Sequence, residues 1–182
     1  MTIDTLTPGV IAQTSAATVS LLPLLARFSL RVGETERAAL AKAIGLDLPL
    51  KTGARAKAGG VEVLCLGPDE WVLITDDAPR LRDACAGIQR QAPHSLVEIS
   101  DRELSFLIEG PKAAELLTLG CPRNIDRIAD GEGRRTVFDG ATVILWRDGA
   151  NRFRFDVSRS FAPHIVALLE TGCAELGAEY SD

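Results

Sequence analysis

The feature that most constrains this chain is an order of strands and helices that recurs about 76 residues further on. In the first pass Phe28, Leu30 and Val32 alternate with Ser29 and Arg31, the period-two pattern of a half-buried strand. Thr35 is placed to cap a following helix whose Leu40, Ala43 and Ile44 share a face, and Gly45 is placed to end it. Val61 to Leu66 and Trp71 to Thr75 are two further apolar runs, joined by Gly67-Pro68-Asp69-Glu70, which has turn chemistry. Asp77 and Pro79 then open a second helix, with Leu81, Cys85 and Ile88 on one stripe.

The order then returns. After an extra strand at Ser95 to Ile99, Leu104, Phe106 and Ile108 alternate as a strand, and Gly110-Pro111 starts a helix that Gly120 ends. Thr136 to Phe138 and Thr142 to Trp146 flank Asp139-Gly140, a dipeptide suited to a tight hairpin. Phe153, Phe155 and Val157 point to one face of a last strand, and Arg152, Arg154 and Asp156 to the other. Ser160 is placed to cap a final helix with Phe161, Ile165, Leu168 and Leu169 on its apolar side. The pattern predicts an α+β fold of duplicated βαββα halves, about 27–93 and 94–175, with largely antiparallel sheets and helices packed on one face of each. Residues 1–20 are rich in Thr, Ser and Ala without a sustained period, so they read as a flexible amino-terminal arm before a single domain over 21–182.

Charge and cysteine use exclude several classes of function. A net charge of −5 disfavours a general nucleic-acid binder, which needs clustered Lys and Arg against phosphate. Residues 27–57 nevertheless hold seven basic groups against three acidic ones, making Lys51 to Lys57 a local basic loop. That loop is either an ordinary solvated turn or an anion contact. The four cysteines show no metal-site spacing, and no secretory signal precedes them, which fits a reducing cytoplasm. The longest apolar run, near Thr142 to Trp146, is far too short to cross a bilayer, so no membrane role is expected.

A search for catalytic chemistry returns little. His94 and His164 have no Cys or carboxylate at ligand spacing; His94 reads as a loop residue and His164 as a structural one on a helix. No glycine-rich phosphate cradle follows a strand. Asp69-Glu70 and Asp76-Asp77 fit a turn and a helix start better than acid–base work. The sequence therefore assigns no catalytic, cofactor-binding or metal-binding residue. What stands out is Arg and Trp at strand–helix junctions, the composition of buried protein contacts. Arg147, Arg152, Arg154 and Arg159 are expected on the polar face or edges of the last strands, near Trp146. Trp71, Arg102, Trp146, Arg159 and Phe161 are the candidate contacts, or supports for contacts, with another chain.

Several stretches carry a family resemblance: Gly67-Pro68-Asp69-Glu70-Trp71, Ser100-Asp101-Arg102 leading to Ile108-Glu109-Gly110-Pro111-Lys112-Ala113, Gly120-Cys121-Pro122, Arg135-Thr136-Val137, and Arg159-Ser160-Phe161-Ala162. In this order, from about residue 60 to 170, the chain resembles the gamma subunits of heterotetrameric sarcosine oxidases. The resemblance implies a fold similar to the folate-binding domain of the glycine-cleavage aminomethyltransferase. It also implies a noncatalytic part in a complex with alpha, beta and delta subunits. Those partners would carry FAD, FMN, NAD and tetrahydrofolate and oxidise sarcosine to glycine and hydrogen peroxide. An isolated chain with an orphaned interface is free to form a homodimer. The alternative is a free-standing binder of folate or another small anion, held by the basic loop and the arginines of the second half.

Overall fold

The computed structural model describes residues 7–180. It divides into two compact units, one running from Leu25 to Ser100 and the other joining the residues up to Leu24 with those from Asp101 onward. The boundary thus falls at Ser100 rather than 93, for a reason that lies in strand pairing.

The amino-terminal stretch is not a loose arm over its described length. Residues 1–6 lie outside the described residues, but Gly9–Gln13 (β1) and Thr18–Leu21 (β2) form an antiparallel pair within a sheet. Their sequence lacks a strong alternation, yet Val19 and Leu21 are buried and Thr14 anchors the turn between them. The Thr14 hydroxyl accepts from the amides of Ala16 and Ala17 at 3.2 and 3.4 Å. Nonlocal pairing decides the conformation here, where local propensity does not.

In the unit of residues 25–100 the elements are β3 (Ala26–Val32), α1 (Glu34–Ile44), β4 (Arg55–Ala58), β5 (Val61–Gly67), β6 (Glu70–Thr75), α2 (Ala78–Ile88) and β7 (His94–Glu98). The sheet order is β4-β5-β6-β3-β7, antiparallel throughout. Because β7 pairs with β3, the extra strand completes this sheet and His94 begins a strand rather than sitting in a loop. Helix α1 starts one residue before Thr35, with Gly33 at the cap position and no side-chain cap. Asp77 does cap α2, accepting from the Arg80 amide at 3.1 Å. Phe28, Leu30, Val63, Trp71 and Leu73 pack beneath Leu40, Leu81 and Cys85 of the helices. Each such fully buried Leu or Phe contributes about 1.5–3 kcal/mol.

The second unit continues with β8 (Glu103–Glu109), α3 (Ala113–Thr118), a 3-10 turn at Ile125–Arg127, β9 (Gly133–Phe138), β10 (Ala141–Gly149), β11 (Arg152–Ser158) and α4 (Ala162–Tyr180). Its order is β1-β2-β8-β11-β10-β9. Both units therefore run strand, helix, three strands, helix, with the fourth strand of the run beside the first. The sequence pattern shows only two strands between the helices of the first half, because the polar β4, Arg-Ala-Lys-Ala, carries no apolar alternation. Leu104, Phe106, Ile108, Phe153, Phe155 and Val157 face α3 and α4. Helix α3 begins at Ala113, not at Gly110-Pro111. Gly110 serves a different purpose: with φ of +126°, it lets the chain pass Ala16, whose carbonyl oxygen would lie 2.8 Å from a Cβ. Similarly, α4 starts at Ala162, and Ser160 meets Ser158 Oγ at 3.1 Å instead of capping.

Candidate functional site

Pairing of Ser158 with Glu103 sets the end of β11 against the start of β8. That register brings the Asp101-Arg102 turn beside Arg159-Ser160-Phe161, two stretches 58 residues apart. The Arg159 amide donates to the Arg102 carbonyl at 2.9 Å, and its guanidinium Nε to the Asp101 carbonyl at 3.0 Å. Arg102 leans on Glu103, with Nη2 to Oε1 at 3.1 Å, while 66% of its side chain stays exposed. The Phe161 amide donates to the Ser158 carbonyl at 2.9 Å, and the Phe161 carbonyl accepts from Ile165 at 3.1 Å. The backbone at Phe161 is thus fixed from both sides, yet the residue is 47% exposed. An aromatic side chain half exposed on a fixed backbone, beside an Arg-bearing turn, has the chemistry of an interface anchor.

The two tryptophans are not part of that surface. Both have no exposed area, which corrects any expectation that they touch a partner directly. Trp71 belongs to the other unit's core and donates from Nε1 to the Pro49 carbonyl at 2.8 Å. Trp146 lies on the sheet face opposite α3 and α4 and donates to Asp156 Oδ2 at 2.5 Å. Ser105, across from Asp156 in the sheet register, donates to Oδ1 at 2.7 Å. Arg154 stacks on the Trp146 ring at 4.7 Å and is held by Asp148 at 2.6 and 3.2 Å. Asp156 lies on the face opposite Phe155 and Val157, as its alternation predicts, but it is buried rather than solvated. The available signal was a lone carboxylate in Phe-Arg-Phe-Asp-Val, opposite a serine.

The remaining expected arginines separate. Arg152 pairs with Glu109. Arg147 faces the helix side instead, where Nη1 donates to the Ile128 carbonyl at 2.9 Å and Nε lies 2.7 Å from Asp130 Oδ1. It therefore secures the loop around the 3-10 turn. In the basic loop, Arg55 is engaged by Glu62. His164 meets Asp139 with Nε2 and Oδ2 2.5 Å apart, joining the first turn of α4 to the β9–β10 turn.

The thiols offer no nucleophile. All four cysteines are buried and free. Burial pushes the Cys85 thiol up to about 11 and raises that of Cys65, so both stay protonated at neutral pH. Among the described residues no group of three His, Cys, Asp or Glu side chains is placed to hold a metal ion. Among the described residues no helix is long and apolar enough to cross a membrane.

No family model matches the chain. It is 35% identical over 149 residues to the sarcosine oxidase subunit gamma of Corynebacterium sp. strain U-96, an alignment covering 80% of this chain and 73% of that protein. The subunit gamma of Arthrobacter sp. is 30% identical over 149 residues, with the same coverage of 80% and 73%. A chain in the heterotetrameric sarcosine oxidase of Corynebacterium sp. U-96, solved with pyrrole 2-carboxylate, superposes with a TM-score of 0.83 at 31% identity, covering 92% of this chain and 89% of its own. The glycine cleavage system aminomethyltransferase T of Bartonella henselae matches with a TM-score of 0.66 at 14% identity, over 86% of this chain and 46% of its own. That likeness is one of fold, as the family resemblance implied.

Proposed function

Because the chain belongs to the family of sarcosine oxidase gamma subunits, we propose that it is the noncatalytic gamma subunit of a heterotetrameric sarcosine oxidase. Its partners are the alpha, beta and delta subunits, and it supports oxidative demethylation of sarcosine to glycine. The observation that carries the reading is the junction at Arg102, Arg159 and Phe161, where a fixed backbone holds an exposed aromatic side chain.

FAD, FMN, NAD and tetrahydrofolate belong to the partner chains in this reading. Three grooves of residues 25–100 are lined by alanine, glycine, aliphatic and charged side chains together with Thr75, and present no aromatic ring to a flavin or pterin. These residues do not fit such a group. The buried free thiols favour a reducing compartment, the cytoplasm.

Co-expression of a tagged chain with the three partner chains tests the proposal. The expected eluate contains all four polypeptides, shows flavin absorbance and oxidises sarcosine. A chain eluting without flavoprotein would overturn it.

A further inference from the structure

The two units repeat one connectivity, and one difference between them lies where the first helix of the run meets the outer strand. In the second unit the edge strand β9 ends in Phe138, whose ring lies 2.8 Å from where a Cβ on Gly120 would stand. The Asp139 amide also donates to the Gly120 carbonyl at 2.9 Å. The space between the end of α3 and β9 is therefore closed.

In the first unit the equivalent strand β4 ends in Ala58, and Gly59-Gly60 makes the turn in place of Asp139-Gly140. The equivalent space is an open groove of about 540 Å³. Ala38 and Ala41 of α1 and Ala56 and Ala58 of β4 line it with small side chains. Lys42 and Lys57 stand on its walls against Asp47, in a chain that is acidic as a whole.

Strand β4 is the outer strand of its sheet. The turn at Gly59-Gly60, with φ of 57° and 81°, is the two-residue type that makes Ala58 and Val61 a hydrogen-bonded pair. Alternation then turns the N–H and C=O of Lys57 away from β5, to the side of the groove. An edge strand, a small-residue floor and net positive walls are the elements of strand-addition recognition.

We propose that the α1–β4 groove receives an extended segment of a partner subunit, which adds a strand beside β4, lays small side chains over the alanines and sets an acidic side chain against Lys42. This rests on the reading of the chain as a subunit. The sister unit fills the same space with its own Phe138, so only this one is left open for another chain.

Hydrogen exchange on the parent chain, alone and in the four-subunit complex, tests the strand addition directly. Protection of the Lys57 amide should rise about tenfold or more on assembly. Ala38→Trp, at an exposed position of α1, and Lys42→Glu should each weaken association of the purified chain with its partners by about tenfold or more. If the parent never joins a complex, the subunit reading fails and the groove's role with it. If the parent joins but the Lys57 amide exchanges at its free rate, the groove proposal alone is overturned, and that measurement decides even where a variant misfolds. A folded Ala38→Trp chain binding as tightly as the parent overturns it equally.

Discussion

The indole of Trp146 donates to the Asp156 carboxylate at 2.5 Å with both side chains buried, and Ser105 supplies the second hydrogen bond at 2.7 Å. A buried carboxylate costs several kcal/mol unless its oxygens are bonded. Trp146→Phe removes one donor, and its expected cost is about 1–3 kcal/mol beyond the lost packing. Ser105→Ala should cost about 1 kcal/mol. Urea unfolding checks both, and wild-type midpoints in both variants would contradict the account.

Cys85 gives the chain a predictable response to alkali. Burial raises its thiol from 9.0 in the unfolded chain to about 11 in the folded one. Between those values the unfolded chain holds fewer protons, so stability falls as pH rises and the loss is complete above about 11. The effect is on the order of 2 kcal/mol. Urea melts at pH 8.5 and 10.5, on the parent and on Cys85→Ala, should show a steeper loss in the parent; equal slopes would contradict the assignment.

Gly110→Ala tests how the amino-terminal strands are held. The added Cβ would meet the Ala16 carbonyl oxygen at 2.8 Å and Ala17 Cα at 2.9 Å, in a backbone conformation with positive φ. The expected cost is about 2–4 kcal/mol. Limited proteolysis should then cut near residues 14–17 faster than in the parent.

These features differ in how readily the sequence discloses them. The β9–β10 hairpin is legible because Asp139-Gly140 specifies its own turn. So is the α2 cap, which Asp77 and Pro79 encode within one turn of helix. Strands β1, β2 and β4 are not, since none carries a strong apolar alternation: β1 and β4 are edge strands that pair only with a sequence neighbour, and β2 joins its sheet through β8, far along the chain. The assignment of β7 to the first unit has the same origin, because pairing with β3 and not sequence position decides it. At the site, the stretches carrying Arg102 and Arg159-Phe161 are brought together by the register of β8 and β11, a long-range pairing that neither motif discloses by itself. Trp71 and Trp146 separate from them because an aromatic on a strand looks alike in sequence whether it is core or surface.

The exposed junction should bear on assembly while leaving the fold alone. Arg102→Ala removes an exposed side chain whose partner, Glu103, is its neighbour in sequence. Its effect on the urea midpoint of the isolated chain should fall within about 0.5 kcal/mol. In the complex, loss of an arginine at an interface should weaken association by about 1–2 kcal/mol.

Phe161→Glu bears most directly on the central claim, that this chain docks through the junction of β8, β11 and α4. Sedimentation titration of the purified chain against its co-expressed partners gives the affinity of parent and variant. The account predicts a folded variant whose affinity falls by about a hundredfold, near 2.7 kcal/mol. A folded Phe161→Glu chain that binds its partners as tightly as the parent would contradict it.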